Sequence, residues 1–159
     1  MTYKVPYSKF CIIFTLSFIV MMACVAFMTR GDLWMCITVS ALLAIPLVAS
    51  FFFAPVKIVV TASSVTLCSP LWRRSIPMNR IASAEPFQPT MGTLRICASG
   101  GFMGYWGIFA ERDLGRFFGF FGKASGCVLL RLTDGSKYVI GSKDPASLCS
   151  FITSSLAAR

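Results

Sequence analysis

Acid–base, metal and nucleophilic chemistry have few side chains to draw on in this 159-residue chain, which holds six carboxylates, seven cysteines and no histidine. Without an imidazole, His-based general catalysis and imidazole metal ligation drop out. The cysteines (Cys11, Cys24, Cys36, Cys68, Cys97, Cys127, Cys149) are scattered and form no Cys-x-x-Cys pair, so neither a zinc knuckle nor a thioredoxin-type motif is indicated. A reducing compartment fits that pattern. Five carboxylates, Glu85, Glu111, Asp113, Asp134 and Asp144, fall largely at turns or strand ends, where solvation and capping account for them. Glu111 and Asp113 stand closest together, but they flank Arg112 in what reads as a hairpin loop. Gly122-Lys123 would end a phosphate loop only with Gly at 117 and Ser or Thr at 124, where the chain has Phe117 and Ala124. A non-enzymatic protein with no cofactor and no metal is therefore expected.

What remains is positive charge and aromatic surface. Lysine and arginine number 15 against 6 acidic residues, a net charge of +9. Hydrophobic residues make up 56% of the chain and mean hydropathy is +0.74, outside the ordinary soluble range. The apolar excess lies in two runs, Phe10 to Thr29 and Leu33 to Val56, neither carrying a charge. About 20 helical residues span the roughly 30 Å hydrocarbon core, so each run is long enough for a transmembrane helix. Arg30-Gly31-Asp32 between them suits a tight reversal, giving a helical hairpin. Pro46 marks a packing kink rather than a break. With no ionisable residue in either span, a transporter or channel is not indicated.

Lys4 and Lys9 precede the first run, and Lys57, Arg73 and Arg74 follow the second closely, while the connector offers only Arg30. By the positive-inside rule both termini face the cytoplasm of a bacterial inner membrane, with residues 1–9 as a short cytoplasmic N-terminus. A rival reading is a lipoprotein signal ending at Met22-Ala23-Cys24. Against it, Met21 stands where a branched apolar residue is preferred, and the apolar run continues to Met28.

From residue 57 the period becomes short and alternating. Seven strands are predicted, over 57–61, 65–68, 73–76, 81–87, 93–98, 127–132 and 136–141. Asp134-Gly135 predicts a two-residue type I′ hairpin, which would put Val128, Leu130, Leu132 and Val139 on the core face and Arg131 with Tyr138 on the other. Asp144-Pro145 caps a helix of about 13 residues in which Leu148, Phe151, Ile152 and Leu156 share a face. Between these elements, Ser99 to Gly122 interleaves seven glycines with aromatic rings. The expected reason is relief of crowding in sharply bent strands, each glycine covered by a neighbouring ring. An aromatic ligand groove is the alternative.

Seven strands followed by one helix is the plan of a pleckstrin-homology-like (PH-like) barrel, an α+β unit in which the helix plugs one mouth of two near-orthogonal sheets. The run Gly100 to Phe109 (GGFMGYWGIF), Leu114-Gly115-Arg116-Phe117, Val128 to Gly141 (VLLRLTDGSKYVIG), Asp144-Pro145 and Phe151-Ile152 resemble the bacterial pleckstrin-homology domain proteins with N-terminal membrane helices. The resemblance covers about residues 57 to 156. It implies fold and membrane attachment, and brings no shared catalytic residues. The expected organisation is thus helices at 10–29 and 33–56 and a PH-like domain at 57–159.

The domain holds 12 Lys or Arg and 5 Asp or Glu, a balance of 12 − 5 = +7, and hangs directly from the second helix. Anionic headgroups of the cytoplasmic leaflet attract such a domain by about 1 kcal/mol per nearby cation. Lys57, Arg73, Arg74 and Arg80, with Trp72 at the interface, are the expected headgroup contacts. An alternative is a protein adaptor or scaffold subunit that presents a sheet edge and the glycine/aromatic surface (Phe102, Tyr105, Trp106, Phe109) to another membrane or cytoplasmic protein. A homo-oligomer is compatible with either. Nucleic acid is not an expected partner, because the basic charge has a membrane explanation and no recognised module is present.

Overall fold

The computed structural model describes residues 1–90 and 93–157, so the last two residues of the expected domain lie outside the described residues. Two long helices come first. α1 (Lys9–Met28) starts where Ser8 Oγ accepts the Cys11 amide at 3.1 Å, and α2 (Leu33–Phe53) where Asp32 Oδ1 accepts the Met35 amide at 3.2 Å. α2 runs on through Pro46, and Ser50 Oγ donates to the Pro46 carbonyl at 2.7 Å. It stops three residues short of the expected Val56, because Pro55 has no amide proton and steers Ala54 (ψ 128°) out of the helical region. α1 packs on α2, yet most of their large apolar side chains point outward; Trp34 is 80% exposed and Leu33 71%. Such helices are not core helices of a soluble domain, and both are long and apolar enough to cross a membrane.

The β-rich domain has two sheets. β1 (Thr2–Lys4), β2 (Lys57–Val60), β3 (Ser64–Cys68) and β4 (Arg73–Pro77) form an antiparallel sheet in the order β1-β2-β3-β4. A 3₁₀ turn, Met78–Arg80, leads into β5 (Ile81–Phe87). The second sheet adds β6 (Leu94–Gly101), β7 (Gly104–Glu111), β8 (Gly115–Phe121), β9 (Cys127–Leu132) and β10 (Lys137–Gly141), in the order β5-β9-β10-β8-β7-β6. All neighbours are antiparallel except β10 and β8. The described residues thus hold ten strands rather than the expected seven. The additions are β1, a three-residue segment too short to show a period, and β7 and β8, whose alternation the glycines and aromatics of Ser99 to Gly122 conceal.

The final hairpin corrects the expected register. Leu132 donates its amide to the Ser136 carbonyl at 2.9 Å and accepts from the Gly135 amide at 3.0 Å, which makes a three-residue loop. Gly135 has φ +80° and Asp134 does not share the positive φ that a type I′ turn needs at both central positions. Arg131 therefore pairs with Lys137, Leu130 with Tyr138 and Leu129 with Val139. A one-residue slip exchanges the faces. Tyr138, not Val139, joins Val128, Leu130 and Leu132 in the main core, with Ile58, Val65, Leu67 and Ile76 of the first sheet. Val139 joins Leu129, Phe109, Phe117 and Phe121 in a second cluster on the opposite face of the larger sheet. Both faces of β9 and β10 are buried, so the alternation that usually sets a register is absent.

α3 (Pro145–Ala157) has the expected length of 13 residues, with Asp144 Oδ1 accepting the Ser147 amide at 3.1 Å. Its buried Leu148 and Ile152 close the barrel between two sheet edges. Tyr3 Oη of β1 lies 3.2 Å from Ser147 Oγ, and the Cys149 thiol donates to the Ala84 carbonyl of β5 at 3.3 Å.

The chain leading into α1 and the chain leaving α2 are clasped together. β1 pairs with β2, and the Val5 amide donates to the Val56 carbonyl at 3.1 Å. Tyr7 Oη donates to the Pro55 carbonyl at 2.7 Å, and the Ser8 amide to the Gly122 carbonyl at 2.9 Å. Burial, with the Cys11 thiol adding to it, pushes the Tyr7 phenol up to about 12, so it stays a neutral donor through the physiological range.

Three substitutions test this packing by denaturation of the full chain in detergent or lipid. Leu148→Ala removes a fully buried side chain and is expected to cost about 2–5 kcal/mol. Gly135→Ala meets no atom within 4 Å, so its expected cost of about 1–2 kcal/mol comes from the left-handed backbone alone. Tyr7→Phe is expected to cost about 1 kcal/mol at neutral pH. The Tyr7 contribution is complete below the ordinary phenol value of 10.0 and is lost as the pH rises toward 12, so wild type and Tyr7→Phe should converge there.

Candidate functional site

Register places three of the chain's cations in one cross-strand row. Lys4 lies opposite Lys57, Lys57 opposite Cys68, and Cys68 opposite Arg73, so Lys4, Lys57 and Arg73 share the outer face of the four-stranded sheet at the end nearest the helices. Met1 and Val60 exchange both backbone hydrogen bonds, at 2.6 and 2.8 Å, and the alternation that follows makes Lys4 and Lys57 a non-hydrogen-bonded pair. Such pairs bring Cα atoms to about 4.5 Å, the closest approach in a sheet. Like charges so placed destabilise the pairing unless an anion stands between them. Among the described residues the ion pairs are Arg80–Asp134 and Arg131–Glu85, so no carboxylate supplies that anion.

Three more lysines stand at the same end, each held by backbone. Lys143 donates its amide to the Lys4 carbonyl at 3.1 Å. Lys9 follows Ser8, whose amide is bound by the Gly122 carbonyl, and Lys123 follows Gly122. Lys4, Lys9, Lys57, Arg73, Lys123 and Lys143 are all exposed and form a basic collar around the point where both helices leave the domain. The nearby acid Asp144 is committed to capping α3. Glu85, Glu111, Asp113 and Asp134 stand farther along the strands, away from the helices.

The expected headgroup residues do not all belong to the collar. Lys57 and Arg73 belong to the collar. Trp72 is half-buried beside it, its ring 5.8 Å from that of Phe53 at the end of α2. Arg74 points the other way, with its guanidinium 5.2 Å from the Tyr138 ring and 5.9 Å from that of Phe118, where cation–π attraction closes the barrel interior. Arg80 lies at the end remote from the helices, 2.8 Å from Asp134. That carboxyl is held below the usual carboxylate range, first by the Ser136 amide at 2.8 Å and then by the Ser136 hydroxyl and Arg80. Lys4, Lys9, Lys123 and Lys143 are not among the headgroup residues expected from sequence, where Lys4 and Lys9 served only to orient the first helix. The signal at Lys123 and Lys143, a lysine two residues past a strand end, exists in the sequence but does not reveal which end of the barrel it marks.

The four aromatics expected to form one partner surface do not lie together. Phe102 packs edge-on against Phe18 of α1 at 4.9 Å, and Trp106 stacks on Phe53 of α2 at 5.2 Å. Tyr105 faces the opposite side of β7, stacked on Phe121 at 5.1 Å. Burial, then the adjacent Cys11 thiol, raises its phenol above the usual value. Phe109 is buried against Phe117 and Phe121 and is not available to a partner. A groove of about 480 Å³ does run over Tyr105, Phe109 and Phe121, rimmed by Gln88, Thr90 and Arg95. The crowding reason for the glycines holds at Gly119, where a Cβ would lie 2.6 Å from the Phe109 ring.

The family model described as bacterial PH domain matches residues 56–156, from the strand after α2 through the closing helix, and leaves out β1 and both long helices. No curated protein and no solved structure matches the chain. With two sheets closed by a C-terminal helix over the matched span, the chain belongs to the bacterial PH domain family.

Proposed function

We propose that this protein is a non-enzymatic, two-span membrane protein whose PH-like domain sits on the cytoplasmic face of a bacterial inner membrane and binds anionic headgroups through its basic collar. The single observation that carries this reading is the Lys4–Lys57–Arg73 row, three cations on one face with Lys4 and Lys57 at closest approach and no carboxylate paired to them. The row lies where the helices emerge, so a leaflet spanned by α1 and α2 brings phosphates to it. Pairing of β1 with β2 supports both termini on one side, and the collar supports that side being cytoplasmic. Tryptophans flank α2 at both ends, Trp34 at its start and Trp72 and Trp106 against Phe53 at its finish. The 21 residues of α2 span about 30 Å, the spacing of interfacial aromatic belts.

A second reading, a protein adaptor, draws on β6, an edge strand with Leu94 69% and Ile96 51% exposed. Cross-linking in native membranes that joins β6 to another protein would favour it.

The headgroup reading is tested with the full chain in lipid nanodiscs. Wild type is expected to unfold at a higher temperature in phosphatidylglycerol than in phosphatidylcholine, and a Lys4→Gln, Lys57→Gln, Arg73→Gln variant to lose that difference, worth about 3 kcal/mol at about 1 kcal/mol per cation. In phosphatidylcholine the variant is expected to be the more stable of the two, because the like-charge row is relieved. Equal melting of wild type in both lipids defeats the reading.

A further inference from the structure

The tip of the β6–β7 hairpin does not end in solvent. Gly101 and Gly104 pair across a two-residue turn made by Phe102 and Met103, and the turn points along α1. A Cβ on Gly101 would stand 2.9 Å from the Phe10 ring, and one on Gly104 2.8 Å from Pro55 and 3.2 Å from the Tyr7 ring, so the flanks of the turn are seated at the start of α1 and the end of α2. Its apex reaches farther, to Phe18 through the Phe102 ring and to Thr15 through the Met103 amide. At 1.5 Å rise per residue, Phe18 is about 13 Å along α1 from Lys9, the last charge before the apolar run and roughly half the way across the hydrocarbon core.

Irregular backbone survives at that depth only if its polar groups are satisfied by protein. Two of the four backbone groups of Phe102 and Met103 have such partners. The Met103 amide donates to Thr15 Oγ1 at 3.0 Å, while that hydroxyl donates to the Cys11 carbonyl at 2.7 Å; the Phe102 carbonyl accepts from Ser99 Oγ at 2.8 Å. Met103 holds φ +49°, the one positive φ outside glycine among the described residues, and it does so where its amide meets the helix. Beside the apex, Tyr7, Cys11, Ile12, Thr15, Leu16 and Met103 line an apolar notch of about 240 Å³. No charged side chain lies between Gly100 and Ala110.

We propose that Gly101 to Gly104 is a third membrane-embedded element, held inside the hydrocarbon of the domain-side leaflet against α1, with lipid acyl chains as its partner and the notch as the place where a chain packs. This inference rests on the reading of α1 as a membrane span. It makes the domain a wedge in one leaflet rather than a unit tethered above it.

Depth-resolved fluorescence of the full chain in liposomes tests it. In a background of Trp34→Phe, Trp72→Phe and Trp106→Phe, checked for folding by circular dichroism, one tryptophan is restored at a time as F102W, I13W or R116W. F102W and I13W are expected to lose most of their emission in dibrominated phosphatidylcholine and to resist aqueous iodide, while R116W behaves oppositely. F102W quenched by iodide, or by neither agent, with I13W still quenched by the brominated lipid, overturns the embedded hairpin and leaves the anchor standing. Failure of the brominated lipid to quench I13W brings down the membrane reading and this inference with it.

Discussion

Antiparallel pairing of the first strand with the strand that follows the second long helix is the constraint on which the architecture depends. β1 and β2 are separated by more than fifty residues of chain, most of it in two apolar helices, and their ladder forces both ends of that helical pair to one place. The clasp is reinforced from three directions, by Tyr7 on Pro55, by Ser8 on Gly122 and by Lys143 on Lys4. A long loop closure of this kind costs conformational entropy, and packing of α1 on α2 offsets part of it by holding the strands near each other. The helical pair thus behaves as a very long hairpin loop of the first sheet.

That constraint also organises charge. Strands entering and leaving the clasp start or finish at the same level, so lysines next to their ends converge although they are spread from residue 4 to residue 143. At the remote end, cations meet carboxylates instead, as in Arg80 with Asp134. The domain is therefore uneven along the strand direction: where it meets the helices no ion pair forms among the described residues, and away from them Arg80 and Arg131 are paired with carboxylates. A net charge spread evenly would hold no such direction, and a membrane surface responds to the local density of cations within about a Debye length rather than to the total.

The glycine and aromatic stretch has a structural account with two parts. At Gly119 the absent side chain makes room for the Phe109 and Phe121 rings of the second core cluster. At Gly101 and Gly104 it lets a hairpin lie against two helices. The same composition thus serves a stacked aromatic layer on one side of the large sheet and a docking tip at its end. Trp106 joins the two by stacking on Phe53, although its indole Nε1 is buried without a protein partner.

Local periodicity and composition by themselves determined a great deal here: the two apolar helices, their reversal at Arg30-Gly31-Asp32, seven of the strands, the helix capped by Asp144, and the excess of positive charge. These depend on spacing within a few residues, which a sequence displays directly. Lys57 and Arg73 were legible as candidates because each follows an apolar or proline-bearing segment closely. What the tertiary structure decided depends on pairing between distant segments. Three N-terminal residues carry no period of their own and become β1 only because β2 offers them an edge. The final hairpin, apolar on both faces, left the one-residue choice between Val139 and Tyr138 to the turn at Gly135. Arg74, next to Arg73 in sequence, and Arg80, seven residues past Arg73, were drawn off to an aromatic pair and to Asp134, while Lys4, Lys9, Lys123 and Lys143 were brought in. A strand fixes which face a side chain takes and which end of the barrel it reaches only once its partners are known, and those partners lie as far apart in the chain as Lys4 and Lys57.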